Sequence, residues 1–130
     1  MPEEINLQKI EVYRMARELC REGWNIYKKF DWQTNKVIGD QWIRAIDSCG
    51  ANIAEAHGRF HYLDKIKFLY NARGSLYEAL HWTDLLSERQ LTPQNSLDQC
   101  YRLIHSIAPK LNSYIDSHYR QKTQWAEQHA

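Results

Sequence analysis

The chain has 130 residues, a size that suits one compact domain, 1–130, with a real hydrophobic core. Its formal net charge is +1, and five Trp and eight Tyr stand beside only five Gly and three Pro, a composition that favours long helices over a turn-rich sheet protein. No apolar run is long enough to span a bilayer, and the Met1-Pro2-Glu3-Glu4 start lacks the pattern of a signal peptide, so a soluble chain with no membrane partner is expected.

Charge is spread as evenly as it is balanced. Residues 1–35 carry six basic and six acidic groups, residues 36–60 three and three, residues 61–93 four and four, and residues 94–130 four and three. A protein that grips nucleic acid through its phosphates usually shows a basic stripe or tail, and none is visible here. Cys20, Cys49 and Cys100 are an odd number of widely separated cysteines, which points to reduced thiols in the cytoplasm.

The first helix is predicted over about 7–30, with Asn6 as N-cap. Val12, Ala16, Leu19, Gly23, Ile26 and Phe30 recur at alternating four- and three-residue steps, the seam of a packed helix. Tyr13, Cys20, Trp24 and Tyr27 lie beside it and widen the apolar face. A short polar link at 31–35 leads into the second helix, about 36–57. Its seam is Ile38, Trp42, Ala45, Cys49, Ile53 and Ala56, and Gly58 is its terminator. The third helix covers about 63–89 along Ile66, Leu69, Arg73, Leu76, Leu80, Thr83 and Leu86. The fourth covers about 93–119, with Thr92 as N-cap, Pro93 at its first position, and Leu97, Ile104, Leu111 and Ile115 on its seam. Pro109 inside it removes one backbone hydrogen bond. Residues 120–130 read as a polar tail that frays. Four long helices with short links make an all-α, antiparallel up-and-down four-helix bundle the simplest topology.

Two polar stripes interrupt this pattern. Ser48, Asn52 and Glu55 share one face of the second helix, and Asn71, Ser75 and Glu78 repeat the spacing on the third. Buried polar groups need partners, so the two stripes are expected to form a structural lock that fixes the register of the two helices. Small residues, Ala51, Ala54, Gly74 and Ala79, are expected to let the backbones approach.

The run Gln41-Trp42-Ile43-Arg44-Ala45…Ser48…Ala51-Asn52-Ile53-Ala54-Glu55-Ala56…Gly58-Arg59, followed by Lys65-Ile66-Lys67-Phe68 and Ala72-Arg73-Gly74-Ser75-Leu76-Tyr77-Glu78, resembles the 23S rRNA intervening-sequence proteins. The ending Trp82…Leu85-Leu86…Arg89-Gln90-Leu91 fits as well, and the likeness covers about residues 10–118. Cys49-Gly50 replaces a common Ile-Pro of that family, and Glu55-Ala56 a common Glu-Gly. The resemblance implies a four-helix bundle that assembles into a ring-like homo-oligomer, a pentamer. A related branch, the accessory variability determinant of diversity-generating retroelements, partners a reverse transcriptase and binds nucleic acid, and it is typically strongly basic, unlike this chain.

No catalytic constellation is legible. Ser48, Cys49 and His57 are close in sequence but more than two helical turns separate the first two from the imidazole. Glu78 and His81 form half of a di-iron motif, but Glu55 has Gly58 where the matching His would stand, and Glu11, Glu18, Asp98 and His105 do not complete the set. No cofactor and no metal ligand set are expected. Arg44, Arg59 and Arg73 are the residues to which a partner or nucleic-acid contact would fall, Arg73 foremost because it lies on an apolar line and needs a partner if buried. Trp24, Tyr27, Trp32, Trp42, Tyr70, Tyr77, His81 and Trp82 offer more aromatic surface than one small core needs, which favours subunit contacts. The expected function is a non-enzymatic, oligomeric scaffold or accessory protein. The alternative is a retroelement accessory protein with a reverse transcriptase, RNA or DNA partner, and a metal-binding bundle is a lesser one.

Overall fold

The computed structural model describes residues 5–130, and all of the regular structure in them is helical. Asn6 Oδ1 accepts from the Gln8 amide at 3.2 Å and caps a single 3-10 turn, Leu7–Lys9. Ile10 is extended, so the first α-helix, α1, starts only at Glu11 and runs to Tyr27. It buries Val12, Tyr13, Ala16, Leu19, Gly23 and Ile26, most of the predicted seam.

The link is shorter than its polar composition suggests. Asp31 Oδ1 accepts from the Thr34 amide at 2.8 Å and caps α2, Trp32–Thr34, and this bond holds the Asp31 carboxyl below its ordinary range. A π-helical turn, Asn35–Gly39, joins α2 to α3, Asp40–Gly58. Gly39 is needed in that turn. A Cβ there would lie 2.6 Å from Asn35 Oδ1 and 2.9 Å from Phe30 Cδ2.

Gly58 keeps a negative φ and sits inside the last turn of α3, which ends because Arg59 is extended. The carbonyls freed there are satisfied from the next element. Lys65 Nζ donates to the Ala56 and His57 carbonyls at 3.4 and 3.1 Å, a cation at the negative end of a helix. Lys65 lies near the start of α4, Tyr62–Glu88. That helix closes with Gln90 in the left-handed region at φ 54, while the amides of Leu91 and Gln90 bond the carbonyls of Leu86 and Ser87. This is the Schellman pattern, with Gln in the place that usually takes Gly.

α5 spans Gln94–Gln128. Pro93 is its cap residue, and no Thr92 side-chain bond caps it; Ser87 Oγ instead reaches the Gln94 side chain across the turn. Pro109 is accommodated on the exposed side without ending the helix. The predicted polar tail 120–130 is also helical, to Gln128. Arg, Gln, Lys, Ala and Glu are good helix formers, and Thr123 Oγ1 bonds the Tyr119 carbonyl at 3.1 Å.

α3 packs on α1 and α4, and α5 packs on α4 and α1, so the four long helices close a square in chain order. Leu19, Trp42, Ile46, Ile53, Leu69, Leu76, Leu97, Ile107 and Leu111 fill its centre. The all-α, up-and-down four-helix bundle read from the seams is the fold observed. Among the described residues, no helix is long and apolar enough to cross a membrane.

Candidate functional site

The face between α3 and α4 carries the polar stripes. Ser75 Oγ donates to Ser48 Oγ at 3.0 Å, joining the two helices. Asn52 Nδ2 donates to Ser48 Oγ at 3.0 Å and to the Ser48 carbonyl at 2.9 Å. Ser48, Ser75 and Asn52 therefore form one half-buried chain of hydrogen bonds.

The other three stripe residues stand apart from it. Glu55 is exposed and pairs with Arg59 at 2.7 Å on its own helix. Glu78 is exposed and accepts from Trp82 Nε1 at 3.4 Å, and Asn71 is exposed. Antiparallel geometry explains the split. Each step forward on α3 is a step backward on α4, so from the Ser48–Ser75 pair Asn52 falls across from Asn71, Glu55 across from Phe68, and Glu78 across from Ala45. Two stripes that run in the same chain direction on antiparallel helices part company at their far ends, so neither Glu55 nor Glu78 has a stripe residue opposite it, and Asn71, across from Asn52, stays exposed.

A second cross-link lies deeper. Trp42 is fully buried, and its indole Nε1 donates to Thr83 Oγ1 at 2.9 Å; Thr83 Oγ1 in turn donates to the Ala79 carbonyl at 2.7 Å. Both residues were visible on their helical seams, and a tryptophan opposite a buried threonine in antiparallel register is the signal that identifies the pair. Their bond and the Ser48–Ser75 bond both tie α3 to α4. Gly74 contributes no close approach, since a Cβ there would meet nothing within 4 Å.

The three arginines do not gather. Arg59 pairs with Glu55 and lies 4.5 Å over the Phe68 ring. Arg73 is half-buried, and its Nε donates to Asn112 Oδ1 of α5 at 3.0 Å while its guanidinium lies 4.9 Å over the Tyr77 ring. Arg44 is exposed on α3, fifteen residues from Arg59, or roughly 22 Å along a helix axis at about 1.5 Å per residue.

The thiols are set for packing. Burial pushes Cys49 and Cys100 up to about 12, and burial with the Asp47 carboxylate beside it does the same for Cys20. All three cysteines are free thiols, protonated at neutral pH and weak nucleophiles in that form. Among the described residues, no three His, Cys, Asp or Glu side chains converge as a metal-ligand set.

What remains is a surface. α4 buries Ile66, Leu69, Ala72, Leu76, Ala79, Thr83 and Leu86, and it carries a second line facing outward. Tyr70, Gly74, Tyr77 and His81 recur at four-, three- and four-residue steps, all exposed, with Tyr70 at 47% and Tyr77 at 50%. Trp24 and Trp32, at 55% and 75% exposed, form a separate aromatic region, where Trp24 stacks on Tyr27 and Lys36 lies over Trp32.

The same bundle occurs in a solved structure. A protein of unknown function from the S23 ribosomal protein family of Bacteroides thetaiotaomicron superposes with a TM-score of 0.72 at 26% identity, over 80% of this chain and 97% of its own. No curated protein matches this chain. The family model described as 23S rRNA-intervening sequence protein matches residues 8–113, which takes in α1, α3, α4 and the first half of α5. With both cross-linked helices inside that match, the chain belongs to the 23S rRNA-intervening sequence protein family.

Proposed function

We propose that this chain is a non-enzymatic scaffold or accessory protein that works as a homo-oligomer. The observation that carries the proposal is the outward line Tyr70–Gly74–Tyr77–His81 on α4. A helix with apolar or aromatic residues on both faces is normally covered on both. α3 and α5 cover only one face of α4. The steps of this line are those of a coiled-coil seam, and the bare Gly74 leaves a hole between two tyrosines that a neighbour's side chain can fill. Burial of the protonated thiols, and the dispersal of the acids, support a role without turnover.

The partner is a second copy of the chain, and a closed ring of about five subunits, as the family resemblance implies, leaves no such surface open. Sedimentation velocity tests this. The wild-type protein is expected to run at a multiple of the 15.5 kDa chain mass, and Tyr77→Glu is expected to run as a folded monomer. A wild-type monomer at high protein concentration would overturn the proposal. Retention on structured RNA that weakens steeply with salt would instead favour the retroelement-accessory reading, with its reverse transcriptase partner.

A further inference from the structure

α1 starts at Glu11, whose carboxylate meets Lys110 of α5 at 3.2 Å. From Lys110 to Gln128, α5 advances roughly 27 Å at about 1.5 Å per residue. Lys9 and Ile10, ahead of α1, line a cavity with Lys110, Ser113, Tyr114 and Ser117 of α5. Beyond that level the α1 corner of the square is open among the described residues, and a groove of about 820 Å³ lies between α5 and the α3–α4 corner.

The open groove continues the core. His118, Lys122 and Trp125 follow Leu111 and Ile115 on α5 at the same alternating steps of three and four. Phe60 and Leu63 form the opposite wall and are 88% and 63% exposed, and Trp125 is 54% exposed. The charge is one-sided. Lys65 and Lys122 line the groove, and among the described residues no carboxylate does. Lys65 already donates to two carbonyls of α3, which leaves Lys122 as the principal cation presented to an occupant.

We propose that this groove receives an acidic amphipathic helix of a partner protein, in the fourth-helix position that α1 leaves open. Helices pack at 8–10 Å between axes, so one helix fits where α1 would have continued. Its apolar face would lie on Phe60, Leu63 and Trp125, and its carboxylates beside Lys122. This is helix-in-groove recognition, with anchors at helical spacing. A basic helix would meet like charges. The proposal stands on α5 and the α3–α4 corner and is independent of the self-association line on α4.

Fluorescence anisotropy with full-length protein tests it, using as probe a fluorescein-labelled helical peptide of about 14 residues, roughly 21 Å long, with Leu and Phe on one face and Glu on the other. The acidic peptide is expected to bind with a Kd of roughly micromolar order and its Lys counterpart at least about tenfold more weakly. Lys122→Glu and Trp125→Ala are each expected to weaken the acidic peptide about tenfold, Lys122→Arg to retain it, and Tyr77→Glu to leave it unchanged. Circular dichroism of each variant confirms that it is folded. Equal binding of acidic and basic peptides, no binding near 1 mM, or indifference to both Lys122→Glu and Trp125→Ala overturns the proposal. Capture by phosphatidylserine vesicles without peptide binding overturns it in favour of a lipid surface. Loss of the oligomer in Trp125→Ala overturns it in favour of a second copy.

Discussion

The indole N–H of Trp42 lies where water cannot reach it, and Thr83 is its acceptor. Thr83→Val keeps the volume and removes the acceptor, so it is expected to cost about 1–3 kcal/mol in urea unfolding, the penalty of an orphaned buried donor. Ser75→Ala removes a half-buried neutral bond and is expected to cost about 0.5–1.5 kcal/mol. Glu78→Ala is expected to leave the urea midpoint unchanged, because that carboxylate is exposed and outside the lock; a loss as large as that of Thr83→Val would refute the register argument. The thiols give a second test. Cys20, Cys49 and Cys100 rise from 9.0 to about 12 in the fold, chiefly by burial. An acid whose folded pKa is raised favours the folded state while it stays protonated. That stability is complete below pH 9 and is lost as the pH climbs towards 12. Tyr101, raised to about 12 by burial and its bond to Asp84, acts in the same direction. Urea midpoints should therefore hold up to about pH 9 and fall as the pH rises towards 12, and a thiol reagent at about pH 8 should react slowly until urea is added.

The α4–α5 link and the π-turn are where single residues decide whole elements. Gln90 holds a left-handed conformation that an L side chain resists. Gln90→Gly is expected to raise thermal stability by about 0.5–1 kcal/mol without altering the Schellman bonds. Gly39→Ala should act oppositely, costing about 1–3 kcal/mol, because its Cβ would press on Asn35 and Phe30. A neutral Gly39→Ala would mean that the turn relaxes to an ordinary α-helix. The long helices were legible because their seams repeat over many turns, and their faces were legible for the same reason. The ends were not. Asp31 was an available cap, yet it sat inside a segment whose polarity reads as a loop. Thr92-Pro93 looks like a helix start, but the cap position falls on Pro93, and Ser87 makes the cross-turn bond. Lys65 closing α3 is a bond between elements, beyond the reach of a local pattern. The polar lock was legible as a face and misread as a set, since the shared spacing hides that antiparallel partners run in opposite order.

At the scale of the whole molecule, the bundle has a closed core and two open surfaces, the outward line of α4 and the groove beside the end of α5. They predict separable behaviour. Ending the chain after Tyr119 removes residues 120–130, all of them exposed except the half-buried Lys122. The core cluster loses nothing, since its last member is Ile115. Urea unfolding should change by less than about 1 kcal/mol, and the sedimentation behaviour of the wild-type chain should persist, because Tyr70, Gly74 and Tyr77 are untouched. Acidic-peptide binding should disappear, because Lys122 and Trp125 are gone. Ending the chain after Ser113 is a different operation. It also strips the buried Ile115 and His118, and losing a single large core side chain costs about 2–5 kcal/mol. If the shorter deletion proved as damaging as the longer one, α5 beyond Tyr119 would be part of the folding unit and the groove would be a structural seam. If it spared stability and removed only the peptide, the last turns of α5 would be a binding arm held out by a bundle that does not need them.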